Sequence, residues 1–354
     1  MDVTIAWKMT GTRPLLFHDG VLYGARYDQI LKSTDGGATF APFARLSLVD
    51  RPFGSLRRWS ALVRRLLREG VYRMRVLSDG HMVFVVRKGI YTLRAGEAEA
   101  RLTHSITRGS RPVSLACKPG GLVVFGEYFD NAERGPIRIF GSADSGQSWR
   151  IVYEFPAGSI RHVHGLAYDR WEDCFWICTG DYGDECKVLR ASADFGDVEV
   201  VRQGGQFNRF YSVLITSEHL LMATDTPLDH NFIFRLEKRT GEWTRLQQIQ
   251  NSTFYGCTVG EKVYFTTVAE SSEMNDSKAC HLWAGSIQGT NWLHVGAFPT
   301  DVLDRVASSV PGLPKALFQF PRIFFPEGDN PTDKLICYGT GIQGLDDTLF
   351  GIKP

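Results

Sequence analysis

Seven times along this chain, a strand-like apolar run, a polar turn and a second apolar run ending in small and acidic residues follow one another in the same order. The clearest copies are "RPVSLACKPGGLVVFGEY" (111–128), "RHVHGLAYDRWEDCFWICTGD" (161–181), "NRFYSVLITSEHLLMATD" (208–225) and "TFYGCTVGEKVYFTTVAE" (253–270). Weaker copies cover 12–26, 72–89 and 320–341. In the middle of the chain the copies are roughly 45–50 residues apart, which leaves room for a third and fourth strand in each unit. A unit of this kind cannot bury its apolar face alone, so neighbours must stack. The expectation is an all-β chain forming one domain over 1–354: a seven-bladed β-propeller of four-stranded antiparallel blades. Pairing of the N-terminal "TIAWKM" with the last unit, "TLFGIKP", would close it.

Two segments break the pattern. In 52–70, Trp59, Leu62, Val63, Leu66 and Leu67 fall at helical spacing with arginines on the other side, which predicts an inserted surface helix. A second helical excursion is expected over about 300–316, before the last unit. A basic amphipathic helix can lie on an anionic membrane, but packing on the propeller rim is the simpler reading.

Composition narrows the function. The net charge of +1 argues against a general nucleic-acid binder, which ordinarily shows a basic excess. Aromatics at 12%, with 36 glycines and 15 prolines, suit short strands and tight turns. No apolar run approaches the ~20 residues of a membrane helix, and the N-terminus does not read as a secretory signal. Cytoplasm is the default setting, and a processed secreted chain would read the same. The seven cysteines are scattered, and Cys174, Cys178 and Cys186 match no zinc motif.

Two octapeptides share a grammar: "STDGGATF" (Ser33–Phe40) and "SADSGQSW" (Ser142–Trp149). A degenerate third copy, "SADFGDVEV", keeps Ser192, Asp194 and Gly196. They resemble the Asp-box, or BNR repeat, of sialidases and related propeller proteins. The resemblance implies turns between the third and fourth strands of a blade, with Asp35 and Asp144 holding those turns away from any ligand site. It also implies that the closing aromatic wedges between blades. The early arginine motif of sialidases is only partly echoed, by Arg13 and Pro14.

In a propeller, the innermost strands begin on the face where the second strands end, so residues at both positions should meet at a common mouth. Arg13, Arg73 or Arg75, Arg111, Arg161, Arg209 and Arg322 stand at the first position; Glu127, Asp181, Asp225 and Glu270 stand at the second. Ion pairs between blades would use the same residues. As a set, the arginines suit a carboxylate-bearing ligand, since a guanidinium offers a bidentate fork to a planar anion. His162 and His164 share a strand face and could bind zinc with Asp181 or Asp225 as a third ligand. "TGDYGDE", with Asp181, Asp184 and Glu185, is a candidate calcium loop, and "TDTPLDHN" brings His230 and Asn231 over the mouth beside Asp225. The residues demand no cofactor, and a divalent metal, calcium or zinc, is the one candidate.

Three functions follow. A polysaccharide lyase acting on a uronic-acid glycan would use His162 or His164 as base and Arg161 and Arg209 against the carboxylate. Tyr128, Tyr211 or Tyr255 would protonate the leaving oxygen. Known seven-bladed lyases use a His, Tyr and Arg set of this kind. A sialidase-like glycoside hydrolase would draw on Glu127, Asp181, Asp225 and Glu270, and the resemblance implies a tyrosine nucleophile, for which Tyr255 is the candidate. A non-catalytic propeller that binds glycan or protein would need only the charged mouth. The lyase stands slightly ahead, with an acidic oligo- or polysaccharide as the expected partner.

Overall fold

The computed structural model describes residues 3–48, 60–270, 272–310, 312, 314 and 317–353. Residues 52–59 of the first expected helix, Trp59 included, lie outside the described residues. The chain is all-β, with 28 strands in six sheets among the described residues. Four consecutive meanders are β10–β13 (Ala116–Cys117, Val123–Gly126, Ile137–Ser142, Arg150–Phe155), β14–β17 (Val163–Asp169, Cys174–Thr179, Lys187–Ser192, Val198–Gln203), β18–β21 (Phe210–Ile215, His219–Thr224, Asn231–Glu237, Trp243–Ile249) and β22–β25 (Thr253–Val259, Lys262–Thr267, Ala279–Ser286, Leu293–Pro299). The fifth four-stranded sheet joins both ends of the chain. In it, β26 (Arg322–Phe324), β27 (Leu335–Thr340) and β28 (Thr348–Ile352) are completed by β1 (Ile5–Thr10), the expected partner, which runs antiparallel from Ile5↔Ile352 to Thr10↔Thr348.

The sixth sheet has eight strands. Its halves are β2–β5 (Arg13–His18, Val21–Arg26, Gln29–Ser33, Ala41–Leu46) and β6–β9 (Val71–Val76, Met82–Val86, Gly89–Leu93, Glu99–Ser105). Among the described residues their strands pair only through the short parallel match of Arg45 and Leu46 with Glu99 and Ala100, while their apolar faces share one cluster that includes Leu16, Ile30, Met74 and Phe84.

The burial pattern explains the layering. Second strands such as β7 (MVFVV) and β15 (CFWICT) are buried at every position, as strands covered on both faces must be. Outermost strands such as β17 expose part of their length. Each hydrophobic cluster spans successive meanders. Trp176 and Val188 meet Phe210 and Met222, while Phe17 and Leu22 near the start of the chain meet Leu349 and Phe350 near its end. Apolar contact therefore runs on from one meander to the next and ties the end of the chain to its beginning.

The two octapeptide turns are built alike. In one, Ser33 Oγ donates to Asp35 Oδ1 (2.7 Å) and accepts Gly37 N–H (2.8 Å), while Thr39 N–H reaches Asp35 Oδ1 (2.9 Å). In the other, Ser142, Asp144, Gly146 and Ser148 repeat this network at 2.8, 2.8 and 2.9 Å. Trp149 lies against Phe125 of its own sheet (5.0 Å between centroids) and donates to Thr103 Oγ1 of the preceding one (3.3 Å).

The helices invert one expectation. α1 (Ala61–Leu67) starts at Ser60, whose Oγ accepts Val63 N–H, but its inward residue is Arg65, 4% exposed, whereas Leu62 and Leu66 are 43% and 38% exposed. Arg65 pairs with Asp301 and donates to Phe318 O, and Arg64 pairs with Asp347 at 2.6 Å. The helix is therefore docked by guanidiniums into carboxylate-bearing loops, and its leucines face out. Periodicity alone cannot foresee this, because it takes arginine as the solvent face. α2 (Val302–Ser309) is capped by Asp301, which accepts Asp304 N–H at 2.9 Å.

Candidate functional site

The start of β14 and the end of β15 bring His162, His164 and Asp181 together. Pairing between β14 and β15 slips between Val163 and Gly165, a bulge at His164 of the kind that re-aims a side chain. The two imidazoles lie 4.7 Å apart between centroids, with Nε2 to Nε2 at 2.8 Å. Asp181 places Oδ1 3.2 Å from His164 Nε2 and Oδ2 3.4 Å from His162 Nε2. Two glycines permit this: a Cβ on Gly165 would meet Tyr211 O at 2.9 Å, and one on Gly180, at φ +105°, would strike Glu185 O at 2.3 Å.

Arginines and further acids surround the cluster. Arg161 Nη1 is 3.1 Å from Asp181 Oδ2, and its Nη2 binds Asp130. Arg209 Nη2 reaches Asp181 Oδ1 at 3.1 Å and Asp225 Oδ2 at 3.5 Å. The Tyr128 ring stacks on His162 at 4.3 Å. Burial drives His164 down to about 4, with its Asp181 hydrogen bond opposing. Burial would raise Asp181, but hydrogen bonding with the histidine pair and the charges of His164 and Arg209 overcome it and hold the carboxyl well below its usual range. Burial lifts Asp225 to about 6 against the pull of Arg209. It lifts Glu270 to about 7, with the nearby Asp225 adding to the rise. Tyr128 is pushed by burial up to about 12.

Arg13, Arg111 and Arg322 are treated differently. Arg111 lies 3.7 Å from the Tyr72 ring centroid, Arg13 is 5.1 Å from the same ring and 4.0 Å from Phe324, and Arg322 is 5.4 Å from Phe324. Among the described residues none of the three has an ion-paired carboxylate, and each leaves a buried Nε without a hydrogen-bond partner. Burial lowers Arg13 to about 10. Deeper, a cavity of about 400 Å³ runs between the innermost strands, lined among others by Arg73, Arg75, Tyr211, Tyr255 and Glu327. Both arginines bind Glu327, Arg73 Nε at 2.9 Å, so they cross-link the channel wall rather than stand at the rim.

Several expected residues are placed elsewhere. Glu127 accepts from Arg108 Nε at 2.8 Å and from Arg138 N at 2.9 Å, which turns its carboxylate into its own sheet. Asn231 is fully buried, its amide shared among Thr224, Thr226 and Asn275, while His230 is exposed on the loop. Glu185 pairs with Arg134 and Asp184 points to solvent, so the expected calcium loop does not converge on Asp181. Tyr255 packs on Phe324 (4.5 Å) and is separated from the histidines by Tyr211. Asp130 and Tyr72 were missed. Asp130 lies beyond the end of its strand, outside the repeating pattern, and Tyr72 belongs to a bulge between Val71 and Arg73 that sequence does not announce.

His162, His164 and Asp181 form one of two groups of described residues able to hold a metal ion; the other is Asp169, Glu172 and Cys174. No helix among the described residues is long and apolar enough to cross a membrane.

No protein-family model and no curated protein matches the chain. Solved structures do. An ancestral GH74 enzyme superposes with a TM-score of 0.59 at 12% identity over 97% of this chain, which corresponds to 46% of that enzyme. A prolyl endopeptidase aligns at 0.57 and 11%, over 94% of this chain and 46% of its own. A chain of the mitotic checkpoint complex aligns at 0.55 and 10%, over 99% and 95%. At such identities the likeness defines the class of fold, an all-β, propeller-like assembly of four-stranded antiparallel sheets. It does not carry the chemistry over, and the neighbours' own activities are unrelated to one another.

Proposed function

We propose that this chain is a seven-bladed β-propeller of the Asp-box kind, in which the halves of the eight-stranded sheet are two separate blades. Its function is to cleave an acidic, uronate-containing glycan lying across the mouth. The identical Ser–Asp–Gly turn networks support the first part. For the second, the carrying observation is Glu270, a half-buried carboxyl raised to about 7 within the field of Arg322, a guanidinium that rests on the Phe324 ring. The GH74 neighbour is compatible with a carbohydrate-active propeller at the level of fold alone.

In the elimination, Arg111 and Arg322 neutralise the uronate carboxylate and acidify the C5 proton. Glu270 removes that proton, the C4–O bond breaks, and Tyr128, held protonated by burial, returns a proton to the leaving oxygen. The base role passes from the histidines to Glu270, because both Nε2 atoms are turned toward each other and Asp181. Hydrolysis is a second reading, favoured by the split acidities of Asp225, near 6, and Asp181, strongly ionised.

Incubation with a panel of acidic polysaccharides separates these readings. Elimination produces an unsaturated uronate absorbing in the near ultraviolet, and hydrolysis produces a reducing end without it. Glu270→Gln should lower turnover about 100- to 1,000-fold with binding retained. Full activity in that variant would remove Glu270 from the mechanism. Binding without turnover on every glycan would leave a lectin-like propeller, and neither binding nor turnover would overturn the proposal.

A further inference from the structure

We propose that His162 Nε2, His164 Nε2 and a carboxylate oxygen of Asp181 form a binding site for one divalent metal ion of the zinc class. The inference stands apart from the glycan chemistry above and concerns what the histidine pair does.

The first argument is distance. Ligand atoms at about 2.1 Å from a common ion, at tetrahedral to octahedral angles, lie about 3.0–3.4 Å from one another. Here the two nitrogens are 2.8 Å apart, and each lies within that range of an Asp181 oxygen, His164 Nε2 at 3.2 Å from Oδ1 and His162 Nε2 at 3.4 Å from Oδ2, so either oxygen can turn toward the pair. Small side-chain shifts bring all three atoms onto one centre.

The second argument counts hydrogens. His162 Nδ1 lies 3.0 Å from Phe129 O, and a carbonyl only accepts, so Nδ1 carries the proton. In the neutral ring Nε2 is then a bare lone pair, aimed at His164 Nε2 and at the Asp181 carboxylate. Among three converging electron-rich atoms, at most one hydrogen remains, on His164 Nε2. If it sits there, His164 Nδ1 is a buried acceptor; if it sits on Nδ1, it is a buried donor. Nδ1 has no partner in either case. A cation at the centre satisfies all three lone pairs at once. The Phe129 carbonyl then plays the outer role that ordinarily fixes the tautomer of a metal-bound histidine.

Charge permits the ion. Asp130, Asp181 and Asp225 face Arg161 and Arg209, three carboxylates against two guanidiniums. The two arginines each take one lone pair of Asp181 and leave another on each oxygen. Two imidazole nitrogens select zinc-class ions over calcium or magnesium, which prefer all-oxygen sites. With three protein ligands, the site keeps an open position.

The remaining clusters do not compete. Asp169, in the second group, is saturated by Lys238 Nζ (2.6 Å), Trp176 Nε1 (3.0 Å) and Trp171 N (3.0 Å). The His281–His294 pair, 3.0 Å apart, gathers no third ligand among the described residues.

The test uses the full chain, stripped with chelator and titrated with zinc alone, then calcium alone, by calorimetry. The expected result is one zinc per chain, at least 100-fold tighter than calcium. Cobalt in its place should show visible absorption bands of a four- or five-coordinate site. His164→Gln and His162→Gln should each weaken zinc at least 10- to 100-fold and abolish the zinc-dependent rise in melting temperature. Circular dichroism checks that both variants fold, and His281→Gln, in the separate histidine pair, serves as a control whose zinc binding stays unchanged. No zinc uptake, uptake equal in both histidine variants, or calcium binding as tightly as zinc would each overturn the site. None of these readouts uses a glycan, so failure here is distinct from failure of the cleavage reading.

Discussion

The two sides of the mouth use the same residue type for opposite ends. Around β14–β19, Arg161 and Arg209 are locked to Asp130, Asp181 and Asp225, with two histidines completing the network. Around β2, β6 and β26, Arg13, Arg111 and Arg322 rest on the rings of Tyr72 and Phe324 and meet no carboxylate among the described residues. An aromatic face holds a guanidinium in position while leaving its charge unneutralised, whereas a carboxylate cancels it. One side is therefore a polar network whose charges meet each other, and on the other the guanidiniums, half-buried, are held by aromatic rings.

Removing the hub of the balanced side should cost most. Asp181→Asn leaves two guanidiniums without their shared partner and should destabilise the fold by about 3–5 kcal/mol in denaturant titration. A loss below about 1 kcal/mol would mean the network is not a unit. Arg209→Met should cost about 2–4 kcal/mol, because it leaves buried carboxylates with less compensation. Arg111→Met, by contrast, should leave stability nearly unchanged while weakening acidic oligosaccharide binding about 10- to 100-fold, the worth of a charged hydrogen bond. Equal stability losses for Arg209→Met and Arg111→Met would erase the distinction between the two sides.

The smallest effect is in pH. Glu270 near 7 and Asp225 near 6 are raised above their unfolded values, so the folded chain holds their protons more tightly. Their contribution is fully present below about pH 4 and is lost as pH rises through 6 to 7. Burial of His164 works in the opposite direction, adding stability as pH climbs from about 4 to 6.5. Glu270→Gln should thus gain about 1–2 kcal/mol over the parent at pH 8 and nothing at pH 4, read as unfolding midpoints at both values. An unchanged difference across that range would show that Glu270 ionises freely.

Much of the fold was open to reading from the chain alone. The meanders follow the apolar repeats, and β1 pairs with β28 as the terminal segments suggested. The octapeptides make turns because Ser, Asp and Gly satisfy one another within a few residues. Arg65 could not be read this way, since its burial depends on Asp301, more than 200 residues along the chain. The same holds for Glu127, an evident mouth acid by position, which Arg108 draws into its sheet.

What the amino-acid order determined by itself is whatever depends on near neighbours: strand periodicity, turn chemistry, and the supply of arginines and acids at strand ends. Only the tertiary structure decided which of those charges meet each other and which meet an aromatic ring. Coulomb energy and desolvation depend on distances of a few ångströms between groups that the chain itself separates by tens to hundreds of residues.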